Sequence, residues 1–331
     1  MNHMDRRFSP RRQQRIGLAR MTGRFAGLAS LFASALFLAI ALATPATAQR
    51  LDARPRTAIM TAFLPERVAL EAALKDRKDI SLNGLAIATG TVAGRPVILM
   101  ESGVSMVNAA MNAQLLIDRF TVSRIVFSGI AGGVDPALHI GDVVVPDHWG
   151  QYLETVMARQ TPDGFAPVPG LFNPALPAYG MMFPRAVRTS SAATGPVQKD
   201  AFAVDPTLLK IARTVAATLV LDRCADPAGT LCLVAPPAIV VGGQGISGPA
   251  FIDNAAYRDY LFATYQARVL DMESAAVAQV AFANGTPFIA FRSLSDLAGG
   301  GGQDNQMHLF MTIASGNAAA VVRAFVGALA D

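Results

Sequence analysis

Acidic residues mark the stretch of this chain best suited to chemistry. Residues 269–298 open with Asp271-Met272-Glu273 and close with Arg292-Ser293-Leu294-Ser295-Asp296. Between these carboxylates, the small apolar residues Ala275, Val277, Ala278, Val280 and Ala281 predict a helix, and Pro287–Phe291 predicts a buried strand. Ligands of open α/β sheets bind beyond the carboxyl ends of the strands. Asp296 directly follows the predicted strand, where a catalytic acid would sit. Another carboxylate, Glu66, follows Pro65 in the first turn of a second predicted helix.

The elements that must position these groups alternate along the chain. Thr57–Phe63 reads as a strand and Pro65–Leu74 as a helix; Leu85–Thr89 and Pro96–Met100 read as strands around a turn at 93–95. An amphipathic helix from Ser105 to Phe120 precedes a strand at Arg124–Ser128, a Gly-rich loop at 129–133 and a strand at Gly141–Pro146. Helices follow at Pro206–Leu219 and Asn254–Ala263, with a strand at Ala238–Val241 between them and a last helix at Met307–Ala330. Residues 150–235 read as an elaborated loop region, its first part rich in Pro, Gly and aromatics, and are expected to supply a pocket wall. Gly299–Gly302 is expected to be a flexible loop. Strands and helices alternate with no internal repeat. The expectation is therefore one α/β domain, with a central mixed, mostly parallel sheet flanked by helices.

Composition narrows the function classes. Seven arginines precede the apolar run Leu28–Ala43, and Pro45-Ala46-Thr47-Ala48 ends it with small residues. This is the pattern of a secretory signal peptide, cleaved after Ala48. The expected organisation is a leader at 1–48, a linker at 49–56 and the domain at 57–331; the expected location is periplasmic or secreted. The whole chain has 28 basic and 24 acidic residues. Removing the leader's seven arginines and one aspartate leaves 21 and 23, a net charge of −2. Basicity thus belongs to the export signal, and nothing points to nucleic acid or a membrane surface as partner of the mature protein. Cys224 and Cys232, eight positions apart in the exported part, are expected to form a local disulfide. Beyond the leader only His139, His148 and His308 are present, without ligand spacing, so no metal site is expected. His148 and Ser102 are read as structural.

Five ordered segments carry a family likeness: Ala62-Phe-Leu-Pro-Glu66; Glu101-Ser-Gly-Val-Ser105; Ser128-Gly-Ile-Ala-Gly-Gly133 with Gly141-Asp-Val-Val-Val145; Ser247-Gly-Pro-Ala-Phe-Ile252; and Asp271-Met-Glu273 through Ser295-Asp296. Together the chain resembles the 5′-methylthioadenosine/S-adenosylhomocysteine nucleosidases of the nucleoside phosphorylase superfamily. The likeness covers nearly all of residues 57–330 except 150–235.

The resemblance implies a role for each matching residue. Asp296 would be the general acid that protonates purine N7, and Glu66 the base that activates water. Glu273 would hold the ribose hydroxyls with Met272 against the sugar. Phe251 would stack on the purine, the backbone of Ile252 would read its edge, and Arg292 and Ser295 would position the Asp296 carboxylate. The resemblance also implies a cofactor-free enzyme, a small-molecule purine nucleoside as ligand, and a homodimer. Cleaving a ribosyl bond calls for such a set: an oxocarbenium-like state needs one carboxyl group to neutralise the departing base and another to deliver water.

Two positions depart from the pattern and keep alternatives open. Ile130 stands where a hydroxyl residue would face ribose or phosphate, and Phe127 stands where related phosphorylases place a phosphate-binding arginine. Most of a phosphate cradle is thus missing, although Arg67 aligns with another phosphate ligand of phosphorylases. A phosphorylase and a non-catalytic nucleoside-binding or storage protein are the alternatives to a hydrolase.

Overall fold

The computed structural model describes residues 50–226, 228–300 and 304–330. The expected leader and residues 301–302 of the expected flexible loop lie outside the described residues.

The first half of the domain comprises β1 (Asp52–Thr61), α1 (Leu64–Glu71), β2 (Lys75–Leu82), β3 (Leu85–Val92), β4 (Arg95–Glu101), α2 (Met106–Arg119), β5 (Phe120–Gly133), β6 (Val143–Val145) and β7 (His148–Gln151). Short strands follow: β8 (Thr155–Met157), β9 (Arg159–Thr161), β10 (Gly164–Ala166), β11 (Met182–Pro184), β12 (Val187–Ser191) and β13 (Gly195–Lys199). They pair antiparallel as three ribbons, β8 with β11, β9 with β10 and β12 with β13. The remainder is β14 (Ala201–Ala203), α3 (Pro206–Ala216), β15 (Ile239–Val241), β16 (Gln244–Ser247), α4 (Ala255–Tyr265), β17 (Ala267–Asp271), α5 (Ser274–Asn284), β18 (Phe288–Asp296) and α6 (Met307–Ala328).

Twelve strands form one mixed sheet whose main path is β14-β7-β16-β17-β5-β1-β4-β3-β2, with β18 on β5, β6 on β18 and β15 on β6. Its centre is parallel: β1 runs with β4 and β5, and β18 with β5. Every residue of β18 is buried, as expected for a strand covered on both faces. Successive side chains of a strand point to opposite faces, and β18 shows where each face leads. Phe291 packs on Phe325 of α6, ring centroids 4.9 Å apart, whereas Arg292 bonds Ser274 at the start of α5. α6 is long and apolar enough to cross a membrane. Its Val321, Val322, Phe325 and Val326 are nevertheless buried in the main hydrophobic cluster, which makes it the core helix of this domain.

The structure corrects several expected boundaries. Asp52–Arg56 of the expected linker belongs to β1 and pairs with β5. α1 ends at Glu71, because Lys75–Leu82 forms β2, an antiparallel partner of β3 whose charged, exposed residues hid its strand character. Residues 150–235 are no plain loop: they hold the ribbons, β14 and α3. Cys224 and Cys232 are bonded to each other, as expected. Leu233, the residue after the bridged Cys232, is buried against Gly141, where a Cβ would lie 2.2 Å from its Cδ1. Closing so short a loop stabilises by roughly 2–3 kcal/mol in the chain-entropy treatment. The Cys224→Ala/Cys232→Ala double variant is expected to lose about that much unfolding free energy in a denaturant titration, with no loss of ligand binding. An unchanged midpoint would contradict this account.

Candidate active site

A cavity of about 260 Å³ opens where several strands end. Its wall comes from Ala62, Phe63 and Glu66 after β1, Val104 after β4, Ile130–Gly132 of β5, Ala250–Ile252 after β16, Leu270–Glu273 at the end of β17, Ser295 and Asp296 of β18, and Met307 of α6. This is the carboxyl-end crevice that the sheet architecture favours for ligands.

Arg292, wholly buried, organises the floor. Its Nε lies 2.7 Å from Asp271 Oδ2 and donates to Ser274 Oγ at 3.0 Å. Its Nη2 donates to Glu273 Oε2 at 3.4 Å, and its Nη1 stands 3.8 Å from Glu66 Oε1. The guanidinium carbon sits 4.2 Å from the Phe127 ring centroid, a cation–π contact. One cation thus faces three carboxyl groups out of water. Burial pushes the Glu66 carboxyl up to about 7, against the opposing pull of Arg292 and of backbone N–H groups. Glu273 is likewise pushed up to about 7 by burial, aided by the nearby Asp271 and Glu66 charges and opposed by Arg292. Near neutral pH the two glutamates therefore hold a proton between them.

Each glutamate is aimed by local backbone. Glu66 sits in the first turn of α1 behind Pro65, where its Oε2 accepts from Ala62 N at 2.6 Å, in the manner of a capping-box carboxylate reaching back. Its Oε1 accepts from Ile130 N at 2.8 Å. Any side chain at Gly129 would collide with both Arg292 Nη1 and Glu66 Oε1. Glu273 precedes α5, and the helix is capped by others: Asp271 Oδ1 accepts from Glu273 N and Ser274 N at 3.0 and 3.1 Å, and Ser247 Oγ accepts from Ala275 N at 2.8 Å. That leaves the Glu273 side chain free to accept from Ser105 N at 2.8 Å. Ser105 has φ +83° and ψ 158°, a region natural to glycine and strained for serine by about 1–3 kcal/mol. The strain is held where a backbone N–H meets a site carboxylate.

Asp296 is positioned by an irregularity. β18 pairs Leu294 with Ala131 but Asp296 with Gly132, so Ser295 is an extra residue, a bulge. In a regular strand Ser295 and Asp296 would face opposite sides; here both line the cavity. Asp296 Oδ2 accepts from Ser295 Oγ at 3.0 Å and Oδ1 from Ala298 N at 2.8 Å. Burial raises its carboxyl above the ordinary range, while hydrogen bonds from Ala298, Ser295 and Asn305 oppose the shift.

The structure brings Glu66, Ile130, Phe251, Ile252, Met272, Glu273, Ser295 and Asp296 to one cavity. Phe251 stands half-exposed there, and Ile130 contributes an apolar wall as well as its backbone N–H. Arg292 requires correction. Among the described residues its ion pairs are with Glu66, Asp271 and Glu273, and the side chain that touches Asp296 from this segment is Ser295. The Gly129–Gly133 loop is also corrected: it is the end of β5, and its glycines serve close side-chain approach rather than a turn. No described residue of 150–235 lines the cavity, contrary to the expected pocket wall. Arg67 does not line it either; it is buried, with Nε on Glu71 Oε1 at 2.8 Å and Nη1 on Ala86 O at 2.7 Å. Sequence reasoning missed Val104 and Met307, whose apolar side chains carry no chemical signal. It also missed the capping role of Asp271, which its position one residue from Met272 and two from Glu273 signalled.

Glu66 and Glu273 bind protons more tightly folded than unfolded. Their contribution to stability is therefore full below about pH 4.5 and lost as the pH rises through about 7. Urea titrations are expected to show unfolding free energy falling between about pH 5 and about pH 8, with a shallower fall in Glu66→Gln. Identical slopes in the two proteins would contradict the elevated Glu66 carboxyl.

Comparison with known proteins places this geometry. The family model of the phosphorylase superfamily matches residues 56–327. A 5′-methylthioadenosine/S-adenosylhomocysteine nucleosidase of Marinomonas sp. is 30% identical over 238 residues, 71% of this chain and 84% of that protein. The nucleosidase of Geobacillus thermodenitrificans is 28% identical over 245 residues, 74% of this chain and 85% of that protein. The crystal structure of a nucleosidase of this type from Colwellia psychrerythraea, in complex with adenine, superposes with a TM-score of 0.62 at 25% identity, covering 83% of this chain and 95% of that one. The chain therefore belongs to the phosphorylase superfamily, as a member similar to the 5′-methylthioadenosine/S-adenosylhomocysteine nucleosidases.

Proposed function

We propose that this protein is an exported purine nucleosidase that hydrolyses the N-ribosyl bond of nucleosides of the 5′-methylthioadenosine/S-adenosylhomocysteine type. The observation that carries the reading is a single cavity walled by two buried carboxyl groups, Glu66 and Asp296, each fixed by its own hydrogen bonds. The named activity of the relatives supports it.

In this reading Asp296, whose carboxyl burial raises above its ordinary range, is the acid that gives its proton to the leaving base nitrogen as the C–N bond lengthens. Glu66 takes a proton from the attacking water; a carboxyl near 7 is matched to that task at neutral pH. Glu273 accepts hydrogen bonds from the ribose hydroxyls, which strengthen as positive charge grows on the sugar. Phe251 and Met272 flank base and sugar. Export to the periplasm or beyond is supported by the leader pattern. A homodimer is supported by exposed apolar residues on α1 (Leu64, Val68), on α2 (Val107, Met111) and at Val104 of the cavity wall.

The mature protein is expected to release adenine from methylthioadenosine without phosphate, and Asp296→Asn to lower kcat by about 100-fold or more while still binding adenine. Turnover that requires phosphate would make the protein a phosphorylase, and saturable binding without turnover would make it a binding protein. The kcat/KM profile is expected to fall on the acid side as the pH drops below about 7 and the Glu66–Glu273 pair takes up its second proton. An acid limb confined to about pH 4–5, the ordinary carboxyl range, would remove Glu66 from the role of base.

A further inference from the structure

The chain contains five tyrosines, and all five join one cluster against the loop that carries Phe251 and Ile252. Tyr152, buried just past β7, donates its hydroxyl to Ala250 O at 3.1 Å and its backbone N–H to Ser247 O at 3.2 Å. Its ring presses on Gly248 so closely that a Cβ there would lie 2.7 Å from two ring carbons. The start of the loop thus abuts one rigid side chain, and its third residue is hydrogen-bonded to it.

The cluster continues away from the cavity. Tyr257 of α4 meets Tyr152 edge-on, centroids 6.1 Å apart, and stacks with Tyr260 at 5.6 Å. Tyr179, in the segment between β10 and β11, contacts Tyr257 at 4.8 Å and Tyr260 at 5.0 Å. Tyr260 returns a hydroxyl hydrogen bond to Pro177 O at 2.9 Å, and Tyr265 completes the group at 6.5 Å from Tyr260. The segment carrying the ribbons lines no part of the cavity, yet it is fastened to the same ring stack as the loop. Aromatic packing alone would be served by phenylalanine. The hydroxyl of Tyr152 is the directional contact, and it holds a carbonyl one residue from Phe251.

We propose that Tyr152 is a positioning residue for base recognition, holding the 248–252 backbone at the height at which Phe251 and Ile252 meet a purine. Tyr179 braces it from the inserted ribbons. The inference rests on the purine-nucleoside reading of the cavity. Tyr152→Phe keeps the ring and removes the hydroxyl bond. It is expected to raise KM for methylthioadenosine and weaken adenine binding in calorimetry by roughly fivefold, the worth of about one neutral hydrogen bond. The change in kcat and in thermal midpoint is expected to be smaller. Tyr179→Leu is expected to move KM in the same direction by less.

Unchanged KM and adenine affinity in Tyr152→Phe would overturn the proposal and leave the nucleosidase reading intact. A loss of kcat in step with thermal midpoint at constant KM would also overturn it, marking a merely structural tyrosine. A wild-type protein that binds adenine more tightly than Tyr152→Phe but turns nothing over would keep the positioning role and end the hydrolase reading. Absence of adenine binding in the wild type would end both.

Discussion

One guanidinium without access to water governs this site. Taking Arg292 and its carboxyl partners out of solvent costs several kcal/mol per ion even after relaxation, and the surroundings answer that cost group by group. Ser274 Oγ accepts a hydrogen bond from its Nε, the carbonyl of Ile130 faces Nη1 at 3.4 Å, and the Phe127 ring packs against the guanidinium. The likeness to phosphorylases makes position 127 notable, because an arginine there would set two cations face to face in the core. A neutral aromatic face instead supports the single cation. Burial, opposed only in part by Arg292, moves the proton affinity of the two glutamates into the neutral range, with nearby carboxyl charges adding to the shift of Glu273. Burial thus gives the site acid–base capacity through carboxyl groups, with no histidine among its wall residues.

Backbone irregularities turn that electrostatic core into a directed one. Gly129 lets the arginine and Glu66 approach β5 from beside the sheet, and the Ser295 bulge rotates Asp296 into the cavity that a regular strand would turn it away from. Ser105 accepts a conformation suited to glycine and presents its N–H to Glu273. Each device costs local regularity, and each lies within hydrogen-bond reach of a carboxyl group. The helices on both faces of β18 carry the compensation: Phe291 and Phe325 lock the strand from one side while Arg292 locks it from the other.

The alternating elements were legible because buried parallel strands and amphipathic helices leave periodic apolar patterns. Hence β1, β4, β5, β18 and α2 to α6 were located from residue order alone. β2 was not, because an edge strand with residues such as Lys75, Arg77 and Lys78 can keep its side chains in water and needs no apolar face. The Gly-rich run 129–133 was misread for the opposite reason: glycine signals a turn locally, whereas its use here is set by two side chains from distant elements. Arg292 was legible as a site residue but not in its partners. Four residues of spacing would put Arg292 and Asp296 on one face of a regular strand, but the Ser295 bulge breaks that register, and Arg292 pairs with the other carboxyls. Val104 and Met307 were out of reach, since nothing distinguishes an apolar residue that walls a cavity from one that fills a core.

The charge balance of the cavity also bears on the nucleophile. Phosphate as a dianion requires several convergent, charge-assisted donors. Among the described residues the cation at this floor is Arg292, which is wholly buried and already shared among Asp271, Glu66 and Glu273. Arg67 is occupied by Glu71 and the Ala86 carbonyl. A phosphate dianion would therefore enter a wall whose carboxyl groups Glu66, Asp271 and Glu273 outnumber the one guanidinium even with a proton held between the two glutamates, and like charges repel strongly where water is scarce. A neutral nucleophile meets no such barrier and gains a base poised to take its proton. The same negative wall that disfavours phosphate stabilises a cationic ribosyl centre. One electrostatic property, the surplus of carboxyl groups over guanidinium, thus argues both for the oxocarbenium-like path and for water as the group that ends it.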